Sequence, residues 1–240
     1  MRLFLVLCWM TIPLLAWAYH VGPGQQNLAL DDASYRVQQA KRFESEQDFG
    51  SAVNAYGEAL SLLQEANQSD QATHQHFEVR LAMAKAQMQN KQLPEARYAL
   101  QSMLDEMEDR KDLDSDLVSD TRQSLASAQY FMTWLMRLEG LPETEWEPEI
   151  EASRQNFRLL TEQAEADNGS EFESRRHDLE AAIQLARMDL ADLQSLKIPS
   201  QCNGCCSGQC NKPNRKQAKK KSENKKAGAG LGPLPDGSGA

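Results

Sequence analysis

Residues 40–60, AKRFESEQDFGSAVNAYGEAL, predict two helices joined by a tight turn. Ala40 lies on the first helix, and Ala52 and Ala59 lie on one face of the second, so small side chains allow the two helices to approach closely. Three aromatic residues are expected to surround that contact: Phe43, Phe49 and Tyr56. The stretch therefore predicts a closely packed helical hairpin.

The pattern Ala52-x-x-x-Tyr56-x-x-Ala59 resembles the second half of a tetratricopeptide (TPR) repeat, although Arg36 stands where that family often has Trp. A weaker copy of the pattern follows 44 residues later. Its positions are Ala96, Leu100 and Met103, and the same shift relates Val37 and Ala40 to Leu81 and Ala84, and then to Leu125 and Ala128. The resemblance implies a scaffold that binds a partner.

The sequence as a whole predicts an all-α fold of stacked antiparallel helical hairpins, with about seven helices in a TPR-like domain spanning residues 31–198. Asp31 or Asp32 is expected to begin the first helix, and Gly140 to end the fifth. The chain from Leu141 to Pro148 is predicted to be an acidic, solvated loop around Trp146, with Pro148 at the start of the next helix.

The last predicted helix begins with a capping box, Ser170-x-x-Glu173. Its apolar stripe is expected to be the buried face, and its charged residues are expected to face solvent. The stripe comprises Leu179, Ile183, Ala186, Leu190 and Leu193, and the charged residues are Arg175, Arg176, Asp178 and Glu180.

The first 18 residues, MRLFLVLCWMTIPLLAWA, are typical of a signal peptide. Arg2 precedes an apolar run that is shorter than the roughly 18 residues of a membrane span, and Ala16-Trp17-Ala18 fits a cleavage site. We expect an exported protein (periplasmic, cell-envelope or secreted) with a leader over residues 19–30, no transmembrane span after cleavage, and an uncleaved anchor as the alternative.

Charge divides the chain into an acidic body and a basic tail. Residues 19–210 contain 17 basic and 33 acidic residues, whereas residues 211–240 contain eight basic and two acidic residues. An acidic body argues against specific nucleic-acid binding. Residues from Lys212 to Lys226 are predicted to be a disordered tail, or alternatively a tether to an anionic surface, and the Gly/Pro-rich residues up to Ala240 complete that tail.

Residues 199–211 form a Cys-rich segment, with four cysteines in the spacing C-x2-C-C-x3-C. In an exported protein these cysteines are expected to form two local disulfides. The spacing also suits thiolate ligands of Zn or Cu, or a redox pair, so a metal- or redox-handling protein is an alternative. The four residues are Cys202, Cys205, Cys206 and Cys210.

The Asp112-x-Asp114-x-Asp116 sequence imitates the start of a calcium loop, but Leu117 and Gln123 stand where such a loop needs Gly and Glu. We therefore interpret these aspartates as the acidic entry to a helix. The sequence contains no nucleophilic triad, phosphate-binding Gly loop or H-E-x-x-H motif, so we expect neither an enzyme nor a cofactor.

The TPR resemblance implies that the first helix of each repeat lines a groove for a protein or peptide partner. Carried over to the two matching units, this places six residues in the partner-binding set: Val37, Lys41, Glu44, Leu81, Lys85 and Met88. Lys41 and Lys85 occupy equivalent positions and are expected to pair with carboxylates of the partner. The predicted function is an exported scaffold, with the Cys-based function and the Lys-rich anchor as alternatives.

Overall fold

The computed structural model describes residues 11, 23–65, 70–108, 110, 112–167 and 170–197. Within these ranges, eight helices have described bounds and there is no strand, which confirms the all-α prediction. They are α1 Pro23–Ser45, α2 Phe49–Glu65, α3 Asp70–Gln89, α4 Leu93–Glu108, α5 Ser115–Glu139, α6 Glu143–Ala166, α7 Phe172–Arg187 and α8 Leu190–Ser195. The chain divides into two compact units, residues 1–86 and 87–240. The predicted signal peptide (apart from residue 11), the Cys-rich segment and the basic tail lie outside the described residues.

In the first unit, α2 folds back on α1 after a short turn, and small residues close the contact between the two helices. Ala40, Ala52 and Ala59 are fully buried, and Tyr56 is 1% exposed at the centre of the core. Phe43 packs against this core, and Val79 of α3 belongs to it. The contact predicted from residues 40–60 is therefore present.

The turn after α1 and the turn after α3 have the same backbone geometry at a shift of 44 residues. Gln47 and Lys91 both adopt left-handed backbone, with φ of 61° and 64°. In each turn, the N–H of the following residue donates to the carbonyl five residues earlier. The Asp48 N–H donates to the Phe43 carbonyl at 2.9 Å, and the Gln92 N–H donates to the Gln87 carbonyl at 3.0 Å. This is the 6→1 hydrogen bond of a Schellman motif. The recurrence seen in the sequence therefore extends to the turns.

Lys91→Gly is expected to stabilise the protein by about 0.5–1 kcal/mol, because a residue with a Cβ pays a steric cost in left-handed backbone that glycine avoids. Urea denaturation of the two proteins measures the difference. Gly140→Ala is the reverse control: the φ of Gly140 is 80°, and an added Cβ meets no atom of the described residues within 4 Å, so the expected cost is that of the backbone. A stabilising Gly140→Ala, or a destabilising Lys91→Gly, would contradict this account.

In the second unit, α5 is the central helix. It packs against α4 and α6, and α6 packs in turn against α7. Every residue of α5 from Gln123 to Phe131 is buried, so this helix contacts other elements around its whole circumference. Gly140 ends α5 in left-handed backbone, as predicted, and Asp114 caps its start by accepting a hydrogen bond from the Asp116 N–H at 3.1 Å.

Two predicted helix starts were wrong. The first helix begins at Pro23, eight residues before Asp31, because proline is well tolerated in the first turn and the following Gln and Leu residues favour helix despite Gly24. The chain from Leu141 to Pro148 is mostly helix instead of loop, since α6 begins at Glu143 and contains Pro148. The negative charges of Glu143 and Glu145 stabilise the first turn of α6, which is the positive end of the helix dipole. Contacts of Trp146 and Glu149 also hold this first part of α6 in place.

The prediction for the last helix was also wrong in two respects. The capping box is absent, since α7 begins at Phe172 and its N-cap residue, Glu171, makes no side-chain capping hydrogen bond. Leu193 of the predicted stripe is buried, but Leu179, Ile183 and Ala186 are only partly buried. Leu190 is exposed because α7 ends at Arg187 and the chain restarts as the short α8. The buried residues of α7 are Asp178, Ala181, Ala182 and Leu185.

No helix in the described part of the chain combines the length and the apolar character that crossing a membrane requires.

Candidate functional site

The predicted partner-binding residues of α1 differ in exposure. Lys41 is exposed, whereas Val37 is partly buried and packs against the core of the first unit. Glu44 is also partly buried, and its carboxylate lies near the Tyr56 hydroxyl. Burial and the nearby Glu44 charge raise the pKa of Tyr56 above its ordinary value. Glu44 therefore supports the hairpin, and Lys41 is the member of this set that a partner can reach.

The corresponding residues of α3 are divided in the same way. Leu81 and Met88 are buried, with 5% and 7% of their surfaces exposed, and Lys85 is exposed. The spacing of four and three residues places Leu81, Lys85 and Met88 along one side of the helix. The partner-binding role of all six residues stays a prediction. Among these six residues, the two exposed charged side chains are Lys41 and Lys85.

Sequence reasoning missed a buried polar cluster in the second unit. It lies where α5 meets α6 and α7, and its members form hydrogen bonds from one helix to another. The Ser153 hydroxyl of α6 donates to the Ala126 carbonyl of α5 at 2.8 Å, and Asn156 Nδ2 donates to Gln129 Oε1 at 3.1 Å. These bonds fix α6 against α5, and the Ser153 bond is buried whereas the Asn156 bond is partly buried.

Asp178 is the most unusual member of this cluster. It lies on α7, is completely buried, and accepts a hydrogen bond from Gln123 Nε2 of α5 at 2.7 Å. Sequence analysis placed it on the solvent side of its helix, which was wrong. Burial raises the pKa of Asp178, whereas the Gln123 hydrogen bond and the nearby His177 and Arg175 charges lower it. The effect of burial is the largest, and the resulting pKa is about 6. Periodicity alone gave no sign of this, because the apolar stripe that begins at Leu179 predicts a different face of the helix as the buried one.

A second polar contact joins the ends of α5, α6 and α7. The Arg137 guanidinium donates to the carbonyls of Leu185 and Met188, which end α7. The Cζ atom of Arg137 lies 4.6 Å from the centre of the Trp146 ring of α6. Burial lowers the pKa of Arg137, while the nearby Glu143 and Asp189 charges favour its ionised form. One cation therefore links α5, α6 and α7 and contacts the first part of α6.

Arg97 and Glu149 form a similar link between α4 and α6. Arg97 donates two hydrogen bonds to the Glu149 carboxylate, at 2.6 and 3.2 Å, and both side chains are largely shielded from solvent. Such paired bonds fix direction as well as distance. Glu149 belongs to the acidic run that sequence analysis interpreted as a solvated loop, and its role here is structural.

The described residues contain no group of three or more His, Cys, Asp or Glu side chains arranged to hold a metal ion. The Asp112, Asp114 and Asp116 series serves other contacts: Arg110 pairs with Asp112 at 2.8 Å, and Asp114 caps α5. These contacts agree with the interpretation of a helix entry. The four cysteines predicted to form disulfides or to bind Zn or Cu lie outside the described residues.

Comparison of the chain with protein-family models, with curated proteins and with solved structures finds no match.

Proposed function

We propose that this chain is an exported helical scaffold that binds a protein or peptide partner. The observation that carries the proposal is the 44-residue recurrence of buried small residues and left-handed turns. Ala52 and Ala96 are both fully buried, and Gln47 and Lys91 have nearly equal φ. Repeated helical units of this kind present extended surfaces on which partners bind.

The surface of α1 presents two large, exposed apolar side chains. Tyr35 is 64% exposed and Leu28, two turns earlier on the same side of the helix, is 53% exposed. Tyrosine is enriched among the residues that contribute most to protein–protein binding. Lys41, also exposed on α1, adds a positive charge in an otherwise acidic body, which favours a partner with carboxylates.

Reversing the two exposed lysines is expected to weaken partner binding without unfolding the protein. A photo-crosslinking residue at position 41 first identifies a protein in direct contact with this surface. The affinity of that purified protein is then measured for the wild type and for Lys41→Glu combined with Lys85→Glu, with an expected loss of about tenfold or more.

Lys91→Glu is the matched control, since it reverses an exposed lysine in the turn after α3 and outside the predicted surface. Its affinity should equal that of the wild type. If the double variant bound the partner with the affinity of the wild type, the assignment of this surface would be wrong. If the control lost as much affinity as the double variant, binding would depend only on net charge.

A further inference from the structure

Asp178 is a carboxyl group enclosed at the contact between α7 and α5. Its Oδ2 atom accepts the Gln123 hydrogen bond, and within the described residues its Oδ1 atom, also buried, has no hydrogen-bond partner. An ionised carboxylate that lacks full compensation is costly in such a place, whereas a protonated carboxyl is tolerated much better. The geometry of this contact therefore favours the neutral form.

Among the residues that the structure describes, none forms a salt bridge with Asp178. His177 and Arg175, which favour its ionised form, lie on α7 itself, and Arg175 is engaged at 2.8 Å with Glu171. From α5, the facing group is the neutral amide of Gln123. On α6, which packs along α7, the cations Arg154 and Arg158 pair with Glu151 and Glu162 of the same helix.

We propose that α7 is a pH-sensitive latch, in which protonated Asp178 fits the contact with α5 and ionised Asp178 weakens the docking of the helix. Docking of α7 buries Ala181, Ala182 and Leu185. Weaker docking therefore makes this apolar face accessible more often. The switch is a property of the fold and is independent of the proposed partner-binding role of α1.

The direction of the pH dependence follows from the two states of the carboxyl. Its pKa is raised in the folded protein from 3.8 to about 6, so the folded state binds the proton more tightly than the unfolded state. The resulting stabilisation is complete below about pH 4 and is lost as the pH rises through about 6. This is the opposite of the common case, in which paired carboxylates make a protein less stable in acid.

Amide hydrogen exchange of α7 tests the proposal in the full-length protein. After correction for intrinsic exchange rates, the opening equilibrium of α7 is expected to increase about tenfold between about pH 5 and about pH 7.5. Asp178→Asn keeps a neutral side chain of the same shape. In that variant the dependence should disappear, and α7 should open less often than in the wild type at the higher pH.

Glu180→Gln is the matched control, because it neutralises an exposed carboxylate of the same helix. Its α7 should retain the pH dependence of the wild type. The same dependence in wild type and Asp178→Asn would overturn the proposal. Should Asp178→Asn fail to fold, an NMR titration of the wild-type Asp178 carboxyl decides: a midpoint near 6 supports the latch, and a midpoint near the ordinary value for Asp refutes it.

Discussion

Tyr56→Ala should lower the free energy of unfolding by about 3–5 kcal/mol, the range found when a fully buried aromatic side chain is truncated. Tyr56 is 1% exposed and lies between Ala52 and Ala59, both of which are fully buried. Neighbouring alanines have no side-chain freedom with which to fill the space that the ring leaves. Urea denaturation followed by circular dichroism measures the loss.

Tyr56→Phe separates the contribution of the ring to stability from that of the hydroxyl. It keeps the buried ring and removes the hydroxyl that interacts with Glu44, so we expect a loss of about 1 kcal/mol near neutral pH. The raised pKa of Tyr56 predicts a pH dependence as well. The protonated hydroxyl contributes to the free energy of unfolding below about pH 10, and this contribution is lost as the pH rises further. The Phe variant should lose less stability than the wild type over that alkaline range.

Tyr35→Ala is the matched control in the same unit, since Tyr35 is 64% exposed. Its effect should stay within about 0.5 kcal/mol, as is usual for surface substitutions. If Tyr56→Ala and Tyr35→Ala had similar effects, Tyr56 would not occupy the centre of the hairpin core, and the small-residue packing of α1 and α2 would need another explanation.

Local signals predicted the parts of the fold that depend on near neighbours in sequence. The hairpin around Tyr56 follows from the spacing of small and aromatic residues within one stretch, and the end of α5 follows from Gly140. Both features are decided by backbone preference and side-chain size within a few residues. The same reasoning correctly assigned Asp112, Asp114 and Asp116 to a helix entry.

The polar interior of the second unit could not be predicted in this way, because its contacts join distant residues. Gln123 and Asp178 are 55 positions apart, and Arg97 and Glu149 are 52 positions apart. A polar residue on an amphipathic helix is assigned to solvent by default, and only a facing partner overrides that assignment. Asp178 was misplaced for this reason.

The start of α6 depends on tertiary contacts in the same way. Pro148 removes a helical N–H inside α6, so sequence preference places the start of the helix at the proline. Trp146 and Glu149, on either side of Pro148, are held by Arg137 and Arg97. These two contacts compensate for the lost hydrogen bond and extend the helix back to Glu143.

Arg137→Ala should therefore destabilise the second unit by about 2–4 kcal/mol. The substitution leaves two carbonyls at the end of α7 without their cationic donor and removes the contact with the Trp146 ring. Hydrogen bonds from charged donors contribute about 1.5–3 kcal/mol, and a shielded cation–π contact contributes about 1 kcal/mol or more, with effects that do not add fully. Urea denaturation followed by tryptophan fluorescence reports the change.

Arg137→Lys tests whether the shape of the guanidinium matters as well as its charge. A lysine ammonium has no planar fork with which to reach two carbonyls while its other face lies on an indole ring. We expect it to recover less than half of the lost stability. Arg187→Ala, an exposed arginine in the last turn of α7, is the control and should change stability by less than about 0.5 kcal/mol. Full recovery by lysine would show that charge alone holds the end of α7, and equal effects of Arg137→Ala and Arg187→Ala would remove Arg137 from its central role.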